Sequence, residues 1–269
     1  MSTPSTLADA EFSLRNADTA AALQQLQSQI RDHPGEARLR VFLFQLLSVR
    51  GDWQRALDQL TLSAQLDPKA LLMAQTYREA LRCEGLRAQV VAGHKTPLII
   101  GEPEPWLGLL VESLLRAGQG DLAASGALRA QAFDQAPPST GTLDGQRFEW
   151  IADADVRFGP VLEAILNGGY YWIPFARLAK VVLPAPEDLR DLVWAPAHLQ
   201  FANGGESAAL IPARYPGSEN AEDGALQMAR RTDWNEAWPG LQFGVGQRLL
   251  ATDAGEYPLL GVREILIDH

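Results

Sequence analysis

Four closely spaced acid pairs have the residue types for chemistry: Asp153 with Asp155, Asp188 with Asp191, Asp233 with Glu236, and Asp253 with Glu256. Two neighbouring carboxylates can act as acid and base in glycoside hydrolysis, or hold a metal ion that activates water. The same residues also suit turns and helix N-caps, where an Asp oxygen accepts backbone N–H bonds, and this structural role is the favoured reading. His33, His94, His198 and His269 are scattered, and Cys83 is the sole cysteine, so neither metal-ligand spacing nor an internal disulfide is available. Gly244-Val245-Gly246-Gln247-Arg248-Leu249 starts like a dinucleotide fingerprint but lacks the third glycine, and Gly118-Gln119-Gly120 follows a helix instead of a strand. No phosphate-binding G-x-x-x-x-G-K-[ST] loop occurs. The sequence therefore implies no catalytic residue, no metal and no cofactor. A hydrolase using acid pairs in the C-terminal half stands as the alternative, and no residue pattern supports a small-ligand regulator.

Arginine suggests a different use of polar groups. Arg190 beside Asp191, and Arg214 ahead of Glu219, could lock hairpins in register through bidentate guanidinium–carboxylate bonds. The sharper expectation is that Arg214, Tyr215 and Tyr257 form a polar-aromatic rim that receives a partner segment, with Arg190 and Asp191 beside it. In the aromatic word Tyr170-Tyr171-Trp172-Ile173-Pro174-Phe175, strand alternation sends Tyr170 and Trp172 to one face and Tyr171 to the other. Core filling is the favoured role of the word, while one face meets the helical half, and Tyr171 joins the partner-contact set. Trp194 and the Trp234/Trp238 pair read as packing between the halves, since a Trp without a cofactor motif is a packing residue first.

Hairpin signals position these residues. Residues 189–219 centre on an Asn203-Gly204-Gly205 turn whose glycines can take the positive φ of a tight hairpin. Val161–Leu166, Asn167-Gly168-Gly169 and Tyr170–Pro174 repeat the pattern, Leu178–Leu183 is a further strand, and Ala221–Ala229 a short helix. Val245–Thr252, an Asp253-Ala254-Gly255 turn and Glu256–Ile267 suggest a third hairpin. Together they predict a small, twisted antiparallel sheet or partly closed barrel with minor helices.

Upstream, residues 1–138 lack strand signals and carry an internal echo. Asp18, Ala22, Leu23, Gln25, Leu26 and Pro34 recur as Asp52, Ala56, Leu57, Gln59, Leu60 and Pro68, at the tetratricopeptide period of 34. Leu39, Phe42, Leu43, Leu46 and Leu47 fall on one helical stripe, Gly51-Asp52 breaks it, and Asp67-Pro68 ends the next helix. Helices follow at about 69–83 and 85–93, then a connector at 94–105 with three prolines, then a hairpin of Trp106–Arg116 and a helix ending at Gln135. Asp121 and Pro137 continue the echo with a one-residue slip. Stacked hairpins leave a concave face for a helix or extended peptide, and Arg38, Val41 and Gln45, off the core stripe, are its candidate residues. The expected class is α+β: a tetratricopeptide-like domain over 1–136, a linker at 137–141 and a β-rich domain over 142–269.

The 269 residues are 46% hydrophobic, enough for a sizeable core, and carry 23 basic against 33 acidic groups for a formal charge of −10. No cationic cluster exists to displace counterions, so nucleic acid is excluded as a partner. Residues 1–138 hold 13 basic and 15 acidic groups and the remainder 10 and 18, so −8 of the charge lies in the C-terminal half, where a basic partner would be steered. The first ten residues lack the features of a signal peptide and no stretch has the apolar length of a membrane helix, which makes the cytoplasm the expected address.

Several words of the C-terminal half occur together in order: Gly159-Pro160-Val161-Leu162-Glu163, the aromatic word, Ile211-Pro212-Ala213-Arg214-Tyr215-Pro216-Gly217, Gly246-Gln247-Arg248 and Asp253-Ala254-Gly255-Glu256-Tyr257-Pro258-Leu259-Leu260. In these the chain resembles the ImpE/TagJ family of accessory proteins of bacterial type VI secretion. The resemblance implies a non-catalytic adaptor that binds the small contractile-sheath subunit (TssB/VipA) and assists sheath handling with the ClpV unfoldase. It assigns no contact residues here.

Overall fold

The computed structural model describes residues 7–238 and 241–269, with 237 and 238 described by backbone alone. The first part is helical. Helices α1 (Leu7–Arg15) and α2 (Thr19–Asp32) form one hairpin, α3 (Ala37–Val49) and α4 (Trp53–Leu66) a second, and α5 (Leu71–Val91) follows; α6 (Pro105–Gly118) and α7 (Leu122–Gln135) form another hairpin. The sequence echo is a structural one. Asp18 accepts from Ala21 N at 2.8 Å and Asp121 from Ala124 N at 3.1 Å, capping α2 and α7, and Asp52 stands at the same place before α4. The residue before each cap, Ala17, Gly51 or Gly120, has a positive φ of 62°, 72° or 83°, which turns the chain back on itself. Ala22 and Ala56, and likewise Leu26 and Leu60, are fully buried at matching packing positions.

Two expectations need correction in this part. The region predicted as separate helices at 69–83 and 85–93 is a single helix, α5. Gly85 does not break it, because buried Ala80, Cys83, Arg87 and Val90 anchor the helix on both sides, against a propensity cost of about 1 kcal/mol. The connector before α6 contains a two-residue strand, β1 (Leu98–Ile99), which pairs in parallel with the sheet that follows.

That sheet is built from β2 (Gly141–Leu143), β3 (Gln146–Phe148), β5 (Val161–Leu166), β6 (Gly169–Pro174), β7 (Leu178–Val182), β8 (Trp194–Phe201), β9 (Glu206–Pro212) and β14 (Glu264–Ile267), together with β1. Among the described residues its order is β1-β6-β5-β9-β8-β7-β14-β2-β3, antiparallel except for β1. A second sheet has the order β13 (Gly255–Pro258), β12 (Leu249–Thr252), β4 (Ile151–Asp153), and β10 (Thr232–Trp238) pairs with β11 (Leu241–Gly246) as a ribbon. The first two predicted hairpins are present. Asn167 and Gly168 take φ of 50° and 74° between β5 and β6, and Gly204 takes 84° between β8 and β9.

The third hairpin is shorter than expected. Gly246, at φ 87°, turns the chain so closely past Arg231 O and the Leu226 side chain that a Cβ would collide with both, so β11 ends there and pairs backward with β10. Only β12 and β13 form the hairpin, and a 3-10 turn at Leu259–Gly261 sends β14 into the large sheet. The helix predicted over 221–229 is one turn, α8 (Gly224–Gln227).

The large sheet has two apolar faces. On β5, Val161 and Ile165 pack into a cluster that also holds Leu43, Leu60, Tyr77 and Leu110 from the helices. Leu162, Ala164 and Leu166 point the other way, into a cluster with Leu199, Leu250 and Ile265. The helices therefore cover one face, and the opposite face carries its own core. Among the described residues no helix is long and apolar enough to cross a membrane.

Ala17 holds a left-handed conformation that its two counterparts give to glycine. Ala17→Gly is expected to raise stability by about 1 kcal/mol, read as a higher denaturant midpoint at unchanged slope. An unchanged or lower midpoint would show that the turn is not strained.

Candidate functional site

The three predicted groove residues come together. Arg38, Val41 and Gln45 lie on one side of α3 and line an open groove of about 530 Å³, bounded by α1 and by the segment Pro186–Leu192. Leu7, Leu14, Phe42, Leu189 and Leu192 supply its apolar surface, and Arg15, Arg38, Arg230, Glu11, Glu187 and Asp188 also line it. An apolar trough with charges of both signs at its margins is the shape that accepts an amphipathic helix.

The segment that forms the far wall is held tightly. Asp188 and Asp191 make a reciprocal capping box over the 3-10 turn Leu189–Leu192, and Asp191 also accepts from Glu187 N at 2.9 Å. Arg190 N donates to Gln45 Oε1 at 3.3 Å, which ties the turn to α3. The Arg190 guanidinium pairs with Asp188, meets Met73 Sδ at 2.8 Å and lies 4.9 Å from the Tyr77 ring centroid. The expected Arg190–Asp191 pair is only a 3.9 Å contact, because Asp191 is committed to backbone N–H groups. Both residues build the wall from behind; Gln45, expected off the core stripe, is buried and committed to that wall, so the open surface of α3 is offered by exposed Arg38 and half-buried Val41.

The predicted rim of Arg214, Tyr215 and Tyr257 is corrected by burial. Arg214 is 2% exposed and Tyr215 fully buried. Arg214 does not bond Glu219; it donates to Ser48 O at 2.8 Å and to Val49 O, the last two carbonyls of α3, and to Gln227 O. A cation on the negative end of a helix is favourable, and here it fixes the helix that carries the groove. Burial lowers the Arg214 pKa to about 10, which leaves it charged at neutral pH. Tyr215 donates to Asp153 Oδ1 at 3.0 Å and accepts from Leu249 N at 3.1 Å. Tyr257 is half-buried against the second core.

Around these residues lies a buried ion network that was absent from the predicted site. Glu163, at the centre of β5, receives Arg87 of α5 at 2.8 and 3.0 Å and also pairs with Arg248. Arg248 pairs in turn with Asp153 and donates to Pro212 O at 2.9 Å, while Arg87 donates to Arg214 O at 2.9 Å. Tyr170 donates to Glu163, and Trp172 Nε1 to the Tyr170 hydroxyl at 2.8 Å. Burial alone would raise the Glu163 pKa, but Arg87 and Arg248 outweigh it and hold the carboxyl at about 2. Asp153 is pushed by burial up to about 7, with Asp155 adding to the rise and Arg248 opposing it. The readable signal was Glu163 itself, a lone charge inside an apolar strand run.

The remaining candidates have structural partners. Tyr170 and Trp172 are fully buried and face the helices, and Tyr171 packs partly buried on the other face. Trp194 sits between Trp53 and Tyr77 at centroid distances of 5.9 and 5.8 Å and donates to Glu84 at 2.7 Å, joining the sheet to the helices. Trp234 packs on Tyr215 at 5.8 Å, and the side chain of Trp238 lies outside the described residues. Cys83 is buried, with its thiol pushed up to about 11. In the acid pairs, Asp155 binds Arg157 and Gly244 N, Asp233 binds Arg231, and Asp253 accepts from Glu149 N. Among the described residues no group of three or more His, Cys, Asp and Glu could hold a metal ion.

A protein-family model described as ImpE protein matches residues 145–266, a span that includes Asp153, Glu163, Arg214 and Arg248. A Pseudomonas aeruginosa protein named type VI secretion system accessory component TagJ is 48% identical over 256 residues, covering 95% of this chain and 90% of its own. The crystal structure of a Vibrio parahaemolyticus protein matches with a TM-score of 0.88 at 23% identity over 97% of both chains, a likeness of fold.

Glu163 titrates near 4.5 when unfolded and at about 2 when folded, so its stabilisation is complete above pH 4.5 and drains as the pH falls toward 2. Glu163→Gln, which takes from two buried guanidiniums the carboxylate they share, is expected to cost about 3–5 kcal/mol near pH 7. The Tm difference between the two proteins should shrink between pH 4.5 and 2. A constant difference would mean that the buried carboxyl is not ionised.

Proposed function

The chain belongs to the ImpE family, and from that premise we propose that it is a non-catalytic accessory of a bacterial type VI secretion system, acting in the cytoplasm as an adaptor. Its partner in this reading is the small contractile-sheath subunit (TssB/VipA), which it holds for handling by the ClpV unfoldase. The observation that carries the reading is the groove between α1, α3 and the Pro186–Leu192 turn. Its apolar trough and mixed-charge margins suit one amphipathic helix, whose burial would supply affinity without a chemical step. The name of the Pseudomonas aeruginosa relative supports the secretion setting. Commitment of the acid pairs to caps, turns and arginines supports holding over hydrolysis.

Arg38 is exposed and Val41 half-buried, so the double substitution Arg38→Glu with Val41→Asp should leave the fold intact. Calorimetric titration with the purified small sheath subunit is expected to show affinity reduced at least about tenfold by the double variant. Removing a short terminal helix from the subunit should have the same effect. Undiminished binding in either case would place the partner elsewhere.

A further inference from the structure

The outer face of the three-stranded sheet has the marks of a second binding surface, remote in sequence from the α3 groove. Strand register sets Ala152, Ala251 and Glu256 in one row across β4, β12 and β13, so their side chains share a face. The alternate rows, with Ile151, Asp153, Leu250 and Thr252, are buried. Two alanines leave the outer row shallow. One end of this floor opens into an apolar cavity of about 320 Å³ walled by Phe133, Pro138, Trp150 and Val156. Val156 also borders a more polar cavity of about 380 Å³, walled by Trp234, Gln242 and Glu256. Trp150 is 42% exposed, a large apolar cost for a residue with no internal role in view.

Charge completes the surface. Glu149, Asp253 and Glu256 are exposed, and Glu149 N donates to Asp253 Oδ1 at 2.7 Å, which holds the first two together. Among the described residues no basic side chain lies within ion-pair distance of these three acids, Arg147 reaching Glu149 only from farther off, whereas Asp223, Asp233 and Asp268 each have an arginine. Acids without an ion-pair partner beside the exposed Trp150 indole and the half-buried Trp234 favour a cation that can rest on an aromatic face and meet a carboxylate. We propose that this face docks an extended segment of another protein, one that seats a large apolar residue beside Trp150 and a neighbouring Lys or Arg against Asp253 and Glu256.

A random dodecapeptide library displayed on phage, selected on the whole chain, tests this. The enriched peptides would be synthesised and titrated against the native protein, Trp150→Ala, and the double variant Asp253→Lys with Glu256→Lys. All three positions are exposed, and thermal melts confirm that the variants fold. Enriched peptides are expected to combine Trp, Phe or Leu with an adjacent Lys or Arg. They should lose at least about tenfold in affinity on Trp150→Ala, lose affinity on charge reversal, and weaken as salt rises. Absence of enrichment, peptides without basic residues, or affinities indifferent to both variants would overturn the proposal. So would concentration-dependent self-association abolished by Trp150→Ala, which would assign the face to a second copy of the chain.

Discussion

Glu163 is a fully buried carboxylate in a strand whose other side chains are apolar, and much of the architecture serves to keep it ionised. Removing a carboxylate from water costs several kcal/mol unless its oxygens are met by well-placed cations and donors. Here they are met by Arg87 from α5, Arg248 from the start of the β12 segment, and Tyr170 from the neighbouring strand. These groups come from parts of the chain that are far apart in sequence, and all must arrive together. The penalty for a partial set restricts how the helices can sit on the sheet, a constraint that the surrounding leucines alone would impose loosely.

The same logic runs outward from the centre. Arg87 also binds the Arg214 carbonyl, and the Arg214 side chain ends α3 by bonding its last carbonyls. Glu84, one turn before Arg87, accepts the Trp194 indole N–H, and Trp194 packs between Trp53 of α4 and Tyr77 of α5. Each polar contact satisfies a group that would otherwise be orphaned in the core, and each joins a helix to the sheet. The helical hairpins are thus held by directional bonds as well as by apolar area.

Legibility in the sequence followed the range of the interactions. The 34-residue echo was readable because a cap and its preceding turn are local, and Asp18, Asp52 and Asp121 do occupy equivalent places. The turns at Asn167-Gly168 and Gly204 were readable for the same reason. Arg38 and Val41 do lie off the apolar stripe, a local pattern, whereas Gln45 is buried against the Leu189–Leu192 turn, a contact that spacing does not show. Arg214 and Tyr215 were misplaced on a rim because most of their side-chain partners, Ser48, Val49, Asp153 and Leu249, lie 34 or more residues away and leave no trace in spacing. Gly85 and the Val245–Ile267 segment failed likewise: tertiary anchoring carried α5 through a glycine, and close packing at Gly246 divided what alternation alone would have joined.

The rigid junction bears on how the α3 groove would bind. Ordering a flexible wall on binding subtracts from the affinity that contacts supply, by roughly 0.5–1.5 kcal/mol for each immobilised side chain. The Pro186–Leu192 wall is already ordered by its capping box, by Gln45 and by the Arg190 contacts, and α3 is fixed at its end by Arg214. The groove is therefore formed by the chain's own contacts, so in the proposed reading the cost of folding into a helix would fall on the partner segment. A short amphipathic segment can then suffice, and its release requires no refolding of this chain. Should the proposed partner helix bind there, a groove already built on a scaffold braced by the buried ion network would serve both its capture and its release.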